Sequence, residues 1–290
     1  MILSFHPVYE GDQNRLCAGR DPDAADRAAM QQAAAIILPQ VCRRTLYEAA
    51  RQNCSKVFPN YAARFAYPGK VGQTRLFREI GVAHPRTVPY ADTGVFFKRH
   101  PEGDGPFPPP AVVKTTWGGE GEGVFPIRQA GDLNGVLQRL RDCERTGQRG
   151  FLYQEWIPTG GRSLRVVISG HRLVSYWRIA SSPAFPLASL ARGGSIDRTS
   201  DPHLMEAAQT ATRTFCRKTG INLAGFDFLF STDPSVAKPA TPLILEINYY
   251  FGRRGFRGSA AYYRWLIASI NNWLETNGMG RPTPEGALSS

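Results

Sequence analysis

Leu-Ile-Leu-Glu-Ile-Asn, residues 243–248, sets a carboxylate and an amide within an apolar run. The run predicts a strand, and Glu246 and Asn248 stand two positions apart, so both project from one face of that strand. A buried carboxylate without a cation costs several kcal/mol, and Glu246 therefore needs a positively charged partner. That partner is a metal ion or one of the many arginines of the chain.

A second apolar run, Gly-Phe-Asp-Phe-Leu-Phe at residues 225–230, also predicts a strand. A hairpin in which Phe230 pairs with Leu243 places Asp227 opposite the glutamate of the first strand. Carboxylate and amide oxygens, with no Cys or His among them, favour Mg²⁺ or Mn²⁺ over zinc. The predicted metal ligands are Asp227, Glu246 and Asn248.

Residues 111–127 hold a glycine-rich segment between two predicted strands. Its glycines are Gly118, Gly119, Gly121 and Gly123. Glycine lets backbone N–H groups approach phosphate oxygens closely, and Lys114, at the end of the first strand, sets a cation beside them. The segment is therefore a phosphate-covering flap or, alternatively, a mobile hairpin tip with a surface lysine.

The remaining sequence predicts a mixed α/β chain. In the first ninety residues, short apolar runs at 2–5, 35–38 and 57–59 alternate with helical stretches at 23–33 and 45–52, which predicts a small parallel sheet. A helix at 74–80 is expected to end at Gly81. Further predicted strands are 151–157, 164–169 and 173–179, and further predicted helices are 132–143, 203–218 and 260–275.

Composition bounds the class of protein. The 290 residues carry a formal charge of +11, and 42% of them are apolar, which is typical of a globular chain. No apolar run is long enough to span a membrane, the five cysteines form no metal motif, and no secretory leader is visible, so we expect a cytoplasmic protein. The arginines are dispersed, so charge alone does not indicate nucleic acid.

Taken in order, these pieces resemble the ATP-grasp superfamily, and within it the RimK-type and glutathione-synthetase-like branch. The resemblance covers roughly residues 70–273. It begins at Lys70-Val-Gly-Gln-Thr and the turn with Gly81, Pro85 and Thr87, and it continues through Lys114, the flap and the Asp…Glu-x-Asn set.

The resemblance implies roles for further residues. The adenine-binding hinge would be Glu155, Trp156 and Ile157. Two arginines, Arg165 and Arg178, would lie near the phosphates and the acyl group. Independently of the resemblance, the segment 249–258 is either a basic surface loop or a clamp for a substrate carboxylate or phosphate, formed by Arg253, Arg254 and Arg257; Arg192 is a further candidate for substrate binding.

The chain also departs from the family pattern. Gly69 replaces the usual Asp before Lys70, and Ser163 replaces the Asp that serves the ribose. Leu-Ala-Ser at residues 187–189 stands for the usual Arg-Ser-Asn, and the turn after Asn248 lacks the common Asn-x-Pro-Gly sequence.

The implied activity is ATP-dependent joining of a small-molecule or peptide carboxylate to an amine or thiol through an acyl phosphate, with Mg²⁺ or Mn²⁺. The implied fold is an ATP-grasp domain (residues 89–278, divided at 152/153) behind a small parallel-sheet domain (1–88), with a flexible tail (279–290). A homo-oligomer is compatible with the sequence, and neither a membrane nor a nucleic-acid partner is expected.

Two alternatives remain. The departures at Ser163 and residues 187–189 motivate a non-catalytic nucleotide-binding or scaffold protein that keeps the fold. An Asp followed by Glu-x-Lys is a metal-nuclease pattern, but Asn248 holds the Lys position here, and that hypothesis leaves Lys114 and the flap unexplained.

Overall fold

A computed structural model describes residues 1–117, 123–181, 193–235 and 240–280. The first elements form the predicted parallel sheet, with strand order β2-β1-β3-β4. Its strands are β1 (Ile2–Ser4), β2 (Gln13–Asn14), β3 (Ala35–Ile37) and β4 (Val57–Phe58). The helices that accompany it are α1 (Ala24–Gln32), α2 (Arg44–Asn53) and α3 (Ala62–Ala66). Asp23 caps α1 by accepting from the Asp26 N–H, which fixes where that helix starts.

Helix α4 spans Gly69–Ile80 and ends at Gly81 in the left-handed conformation, as predicted. Its start is earlier than the predicted residue 74. The first turn lacks apolar periodicity, but Gly72 packs against the Tyr67 main chain, where a Cβ would overlap it. The longer helix carries Lys70 in its first turn.

An antiparallel sheet follows, in the order β5-β8-β6-β7. Its strands are β5 (Thr87–Tyr90), β6 (Ala111–Thr115), β7 (Val124–Ile127) and β8 (Phe151–Glu155). Two helices, α5 (Thr93–Arg99) and α6 (Ala130–Arg145), pack on it through a core that includes Phe96, Leu137 and Phe151. Strand β8 ends at Glu155, not at residue 157 as predicted. The Trp156 N–H still bonds the Pro110 carbonyl opposite it, but Pro110 has no N–H to return the bond.

The third sheet has the order β11-β10-β9-β12-β13. Its strands are β9 (Arg162–Ser169), β10 (Arg172–Ile179), β11 (Ser195–Asp197), β12 (Leu223–Leu229) and β13 (Leu243–Asn248). Helices α7 (Pro202–Thr219) and α8 (Ser259–Thr276) belong to this part, with a 3₁₀ turn at Arg254–Phe256 before α8. Gly170 and His171 form the turn of the predicted β9–β10 hairpin.

The two faces of the third sheet have different neighbours. One face packs against α4 and α7 through residues such as Phe77, Phe215 and Phe226. On the opposite face, Val167 and Leu223 pack against α8. The rest of that face carries polar side chains of four strands, and it forms part of the site described next.

The domain boundaries remain a prediction, and strand β5 crosses the predicted boundary at residues 88/89. Among the described residues, no helix combines the length and hydropathy that crossing a membrane requires.

Candidate functional site

A cavity lies between the second and third sheets, closed on one side by α4. Its wall brings together three residues singled out from the sequence, Lys70, Lys114 and Glu246, which come from three separate elements. The remaining lining residues are Gln73, Thr74, Phe77, His84, Thr87, Leu152, Gln154, Ile244 and Leu245. The predicted hinge residues 155–157 and Ser163 do not line this cavity.

Lys114 lies on β6 between Leu152 of β8 and Val124 of β7. Burial lowers the pKa of its ammonium group to about 8, and the positive charge of Lys70 acts in the same direction. The Glu246 and Asp227 carboxylates oppose this shift. A cation that is partly stripped of water binds an anion strongly, so Lys114 is suited to a phosphate.

Asp227 and Glu246 lie directly opposite each other on β12 and β13, which confirms the predicted pairing. The predicted partner at the end of the hairpin was wrong, because Leu229, not Phe230, pairs with Leu243. A bulge between Asp227 and Phe228 shifts the register by one residue, and the sequence alone does not reveal it.

Both oxygens of the buried Asp227 carboxylate are held by arginines. Arg165 donates from Nε to Oδ1 and from NH2 to Oδ2, the latter at 3.0 Å. Arg178 NH2 lies 2.9 Å from Oδ2, and Asn248 Nδ2 donates to the same oxygen at 3.1 Å. Burial alone would raise the pKa of Asp227, but the two guanidinium groups hold it below its usual value, so the carboxylate is ionised.

The pKa values of the two arginines shift in opposite directions. Burial disfavours the charge of Arg165, but the adjacent Asp227 raises its pKa above the usual value. Burial lowers the pKa of Arg178 despite the same carboxylate. Arg178 has a second partner, because its Nε and NH2 donate to Ser163 Oγ at 3.2 and 2.9 Å.

The residues fit a divalent cation in part. The oxygens of Glu246 and Asn248 are hard donors on one strand face, next to the cavity, and they suit Mg²⁺ or Mn²⁺. Asp227 can offer its Oδ2 to the ion only if an arginine leaves that oxygen. Within the described ranges, no three His, Cys, Asp or Glu side chains come together as a metal cluster.

Most of the predicted flap lies outside the described residues, including Gly118, Gly119 and Gly121. Gly123 is described, and its carbonyl accepts from the Thr115 N–H at 2.8 Å. A Cβ at Gly123 would overlap the Thr115 side chain, so glycine is required at this end of the β6–β7 connection.

The predicted adenine hinge lies at the end of β8. The Glu155 N–H bonds the Arg86 carbonyl at 2.8 Å, and the Trp156 N–H bonds the Pro110 carbonyl at 3.3 Å. Ile157 differs, since no backbone partner of its N–H occurs in the described part of the chain. Of the three hinge residues, Ile157 is thus the one with an amide available to a base.

In the basic segment after β13, which holds Arg253, Arg254 and Arg257, one arginine packs against the rest of the fold. Arg253 stacks over the rings of Tyr262 and Tyr263, at 5.5 and 4.5 Å from their centroids. Arg254 and Arg257 are exposed. Arg192 lies outside the described residues.

Two glutamines of the cavity wall received no role of their own from the sequence, although Gln154 opens the segment Gln-Glu-Trp-Ile that resembles the adenine hinge. Gln73 of α4 donates to the Ile247 carbonyl at 2.8 Å and accepts from its N–H at 2.9 Å. Gln154 is buried and donates to Thr87 Oγ1 at 2.8 Å. A polar residue within an apolar strand, Phe-Leu-Tyr-Gln, was the available signal for Gln154.

Sequence comparison finds relatives over half of the chain. No protein-family model matches. A protein named "Probable alpha-L-glutamate ligase" from Xanthomonas euvesicatoria is 30% identical over 152 residues, which are 52% of this chain and 47% of that protein. A protein of the same name from Xylella fastidiosa is 28% identical over 154 residues, 53% of this chain and 46% of the relative. The chain thus spans about half the length of the curated relatives it matches.

Solved structures resemble the chain over most of its length. An ATP-grasp RimK-domain protein from Sphaerobacter thermophilus superposes with a TM-score of 0.59 at 15% identity, covering 93% of this chain and 98% of the other. The ATP-grasp ligase PsnB, solved with a minimal precursor, Mg and ADP, has a TM-score of 0.56 at 17% identity, covering 92% and 97%.

Proposed function

We propose that this chain, which has the ATP-grasp fold, is an ATP-dependent ligase that joins a carboxylate to an amine. The observation that carries the proposal is the cavity in which Lys70, Lys114 and Glu246 meet beside the Arg165–Asp227–Arg178 cluster. Four cations against two carboxylates leave a formal excess of two positive charges. An excess of this sign is suited to a triphosphate and a second anion.

In the proposed first step, a carboxylate oxygen of the acid attacks the γ-phosphorus of ATP. The bond from that phosphorus to the bridging oxygen breaks, so ADP leaves and an acyl phosphate forms. Both reactants are anions, and the main tasks of the protein are to neutralise charge and to align the groups. Lys70 and Lys114 would hold phosphate oxygens. Mg²⁺ or Mn²⁺, when bound, would withdraw further charge from the γ-phosphate.

In the second step, the amine attacks the acyl carbon. A C–N bond forms, the bond from carbon to the phosphate oxygen breaks, and phosphate and the amine proton leave. Arg165 binds Asp227 through Nε and NH2, and among the described residues its NH1 has no such partner. We assign that NH1 group to the acyl phosphate. A thiol acceptor would follow the same path with a C–S bond.

We propose that the acid substrate carries more than one negative charge, as a glutamyl peptide does. Arg254 and Arg257 are exposed on the segment that follows the Glu246 strand, and bidentate guanidinium contacts suit a second carboxylate. The similarity to proteins named probable alpha-L-glutamate ligase, and to PsnB, which was solved with a precursor peptide, supports this substrate class. A cytoplasmic location and a homo-oligomer remain predictions.

A non-catalytic nucleotide-binding protein is the second candidate. The observation that favours it is the carboxylate of Asp227, which is closed off by two arginines and Asn248. Such a protein would bind ATP and release no ADP with any acid and amine.

Phosphate release from ATP, with amino acids and acidic peptides supplied in pairs, tests the proposal. We expect Glu246→Gln to lower the stimulated rate by about 100-fold or more, the scale of losing one group that stabilises transition-state charge, with its thermal unfolding unchanged. Glu206→Gln, an exposed change on α7, is the matched control and should keep the full rate. Full activity of the Glu246 variant would show that its carboxylate does not take part.

A further inference from the structure

The carboxylate of Asp227 has donors next to both of its oxygens. Its Oδ2 accepts from Arg165 at 3.0 Å, from Asn248 at 3.1 Å, and lies 2.9 Å from Arg178 NH2, while Arg165 Nε takes Oδ1. Its side chain is 5% exposed. A divalent cation therefore meets three donors already on Oδ2, and beside Oδ1 it meets the Arg165 guanidinium group.

The fold holds one of the two arginines rigidly. Arg165 of β9 pairs in register with Asp227 of β12, so its side chain and the carboxylate share one face of the sheet. The Arg165 side chain passes over Gly225, where an added Cβ would lie 3.1 Å from Arg165 Cδ and 3.2 Å from its Nη1. The missing side chain at Gly225 creates the slot in which Arg165 lies.

The second arginine is held less firmly. Arg178 is divided between Asp227 and Ser163 Oγ, its register partner on β9. Its side chain is 15% exposed, against 8% for Arg165. Arg178 can therefore leave Asp227 while a hydroxyl still accepts from it, at a smaller cost than Arg165 would meet.

A free divalent cation meets two guanidinium groups at this carboxylate, and both charges repel it. Breaking a buried ion pair without a replacement partner is strongly unfavourable. A triphosphate changes the balance, because its oxygens provide Arg178 with a new anionic partner.

We propose that, in the nucleotide-free protein, Arg178 blocks Asp227 and the site binds anions and not cations. Nucleotide then binds first and draws Arg178 away from Asp227. The freed carboxylate completes the site for the divalent ion. This inference rests on the proposed function, since it takes a nucleotide as the anion. Arg178 is then a positioning residue that sets the order of binding. The ligand that arrives first is a nucleoside di- or triphosphate, without metal.

Mn²⁺ binding by the full-length protein, measured by electron paramagnetic resonance with and without ADP, tests the order. We expect Mn²⁺ alone to bind at least about tenfold more weakly than Mn²⁺ with ADP, after correction with a protein-free Mn²⁺–ADP mixture. Metal-free ADP should still bind in EDTA. Equal binding of Mn²⁺ with and without ADP would overturn the inference and leave the proposed ligase function intact, whereas no binding of ADP under any condition would overturn both.

Arg178→Gln supplies the second arm. We expect it to bind Mn²⁺ without nucleotide at least about tenfold more tightly than the wild type. Arg172→Gln removes an exposed arginine from the same strand and should leave Mn²⁺ binding without nucleotide at the wild-type value. Nucleotide-free Mn²⁺ binding that is the same in all three proteins would contradict the blocking role of Arg178. If Arg178→Gln does not fold, the wild-type comparison with and without ADP decides alone.

Discussion

Lys114 combines the features expected of a phosphate-binding lysine. It lies at the end of β6 in the cavity, near Glu246 and Lys70, and burial lowers the pKa of its ammonium group. We expect Lys114→Ala to weaken ATP binding by about tenfold or more, because one charge-assisted contact to phosphate is lost from a partly desolvated site. Calorimetric titration measures this, with Lys98→Ala, an exposed change on α5, as the control. Equal weakening in both variants would point to a general charge effect.

The lowered pKa of Lys114 also predicts a pH dependence. The folded, nucleotide-free protein holds this proton only below about pH 8, and the protonated form binds the triphosphate. Metal-free ATP affinity should therefore fall as the pH rises from 7 to 9, by at most about tenfold per pH unit for one proton. Lys114→Arg keeps its charge over this range, so its affinity should stay nearly constant. Parallel curves for the two proteins would show that another group titrates.

The sequence predicted the pairing of Asp227 with Glu246, because alternation along two strands fixes which side chains share a face. It did not predict the arginines around Asp227. That arrangement requires the registers of β9, β10, β12 and β13 together, and these strands lie far apart along the chain. Ser163 illustrates the same limit. The sequence shows only the absence of the family's aspartate, whereas the structure shows a hydroxyl that accepts from Arg178.

Gln73 joins helix α4 to strand β13 by two hydrogen bonds. Gln73 pairs with both the N–H and the carbonyl of Ile247, one residue from Glu246 and one from Asn248. Gln73→Leu leaves two buried backbone groups without partners, so we expect the free energy of unfolding to fall by about 2–4 kcal/mol. Urea titration measures the loss. Gln52→Leu, an exposed change on α2, should cost less than about 0.5 kcal/mol, and a similar small value for Gln73→Leu would mean that water replaces the lost contacts.

Long, periodic elements were predicted well, and several short ones were missed. The helices α6, α7 and α8 agree with the predicted ones to within a few residues at each end, since an apolar face at helical spacing identifies them. The short α3, α5, β2 and β11 have too few residues to show a period. Tertiary contacts help to fix them, as when Glu144 of α6 accepts from the Thr93 N–H at 2.7 Å at the start of α5.

The order of motifs along the chain predicted the ATP-grasp fold, and the structural likenesses confirm it. The reason is physical: Lys70, Lys114 and Glu246 lie on three different elements, and only a fold that closes two sheets and a helix on one another brings them into a single cavity. The same order could not identify the acid or the amine. Such specificity depends on loops, and no motif marks those loops in this sequence.

The proposed ligase reaction begins when a carboxylate attacks the γ-phosphorus of ATP in this cavity. An acid labelled with ¹⁸O in its carboxylate, such as a glutamyl peptide, tests it when supplied with ATP and an amine mixture. Mass spectrometry of the products should find ADP, an amide, and phosphate that carries one ¹⁸O from the acid. Unlabelled phosphate, or AMP with pyrophosphate, would contradict the claim.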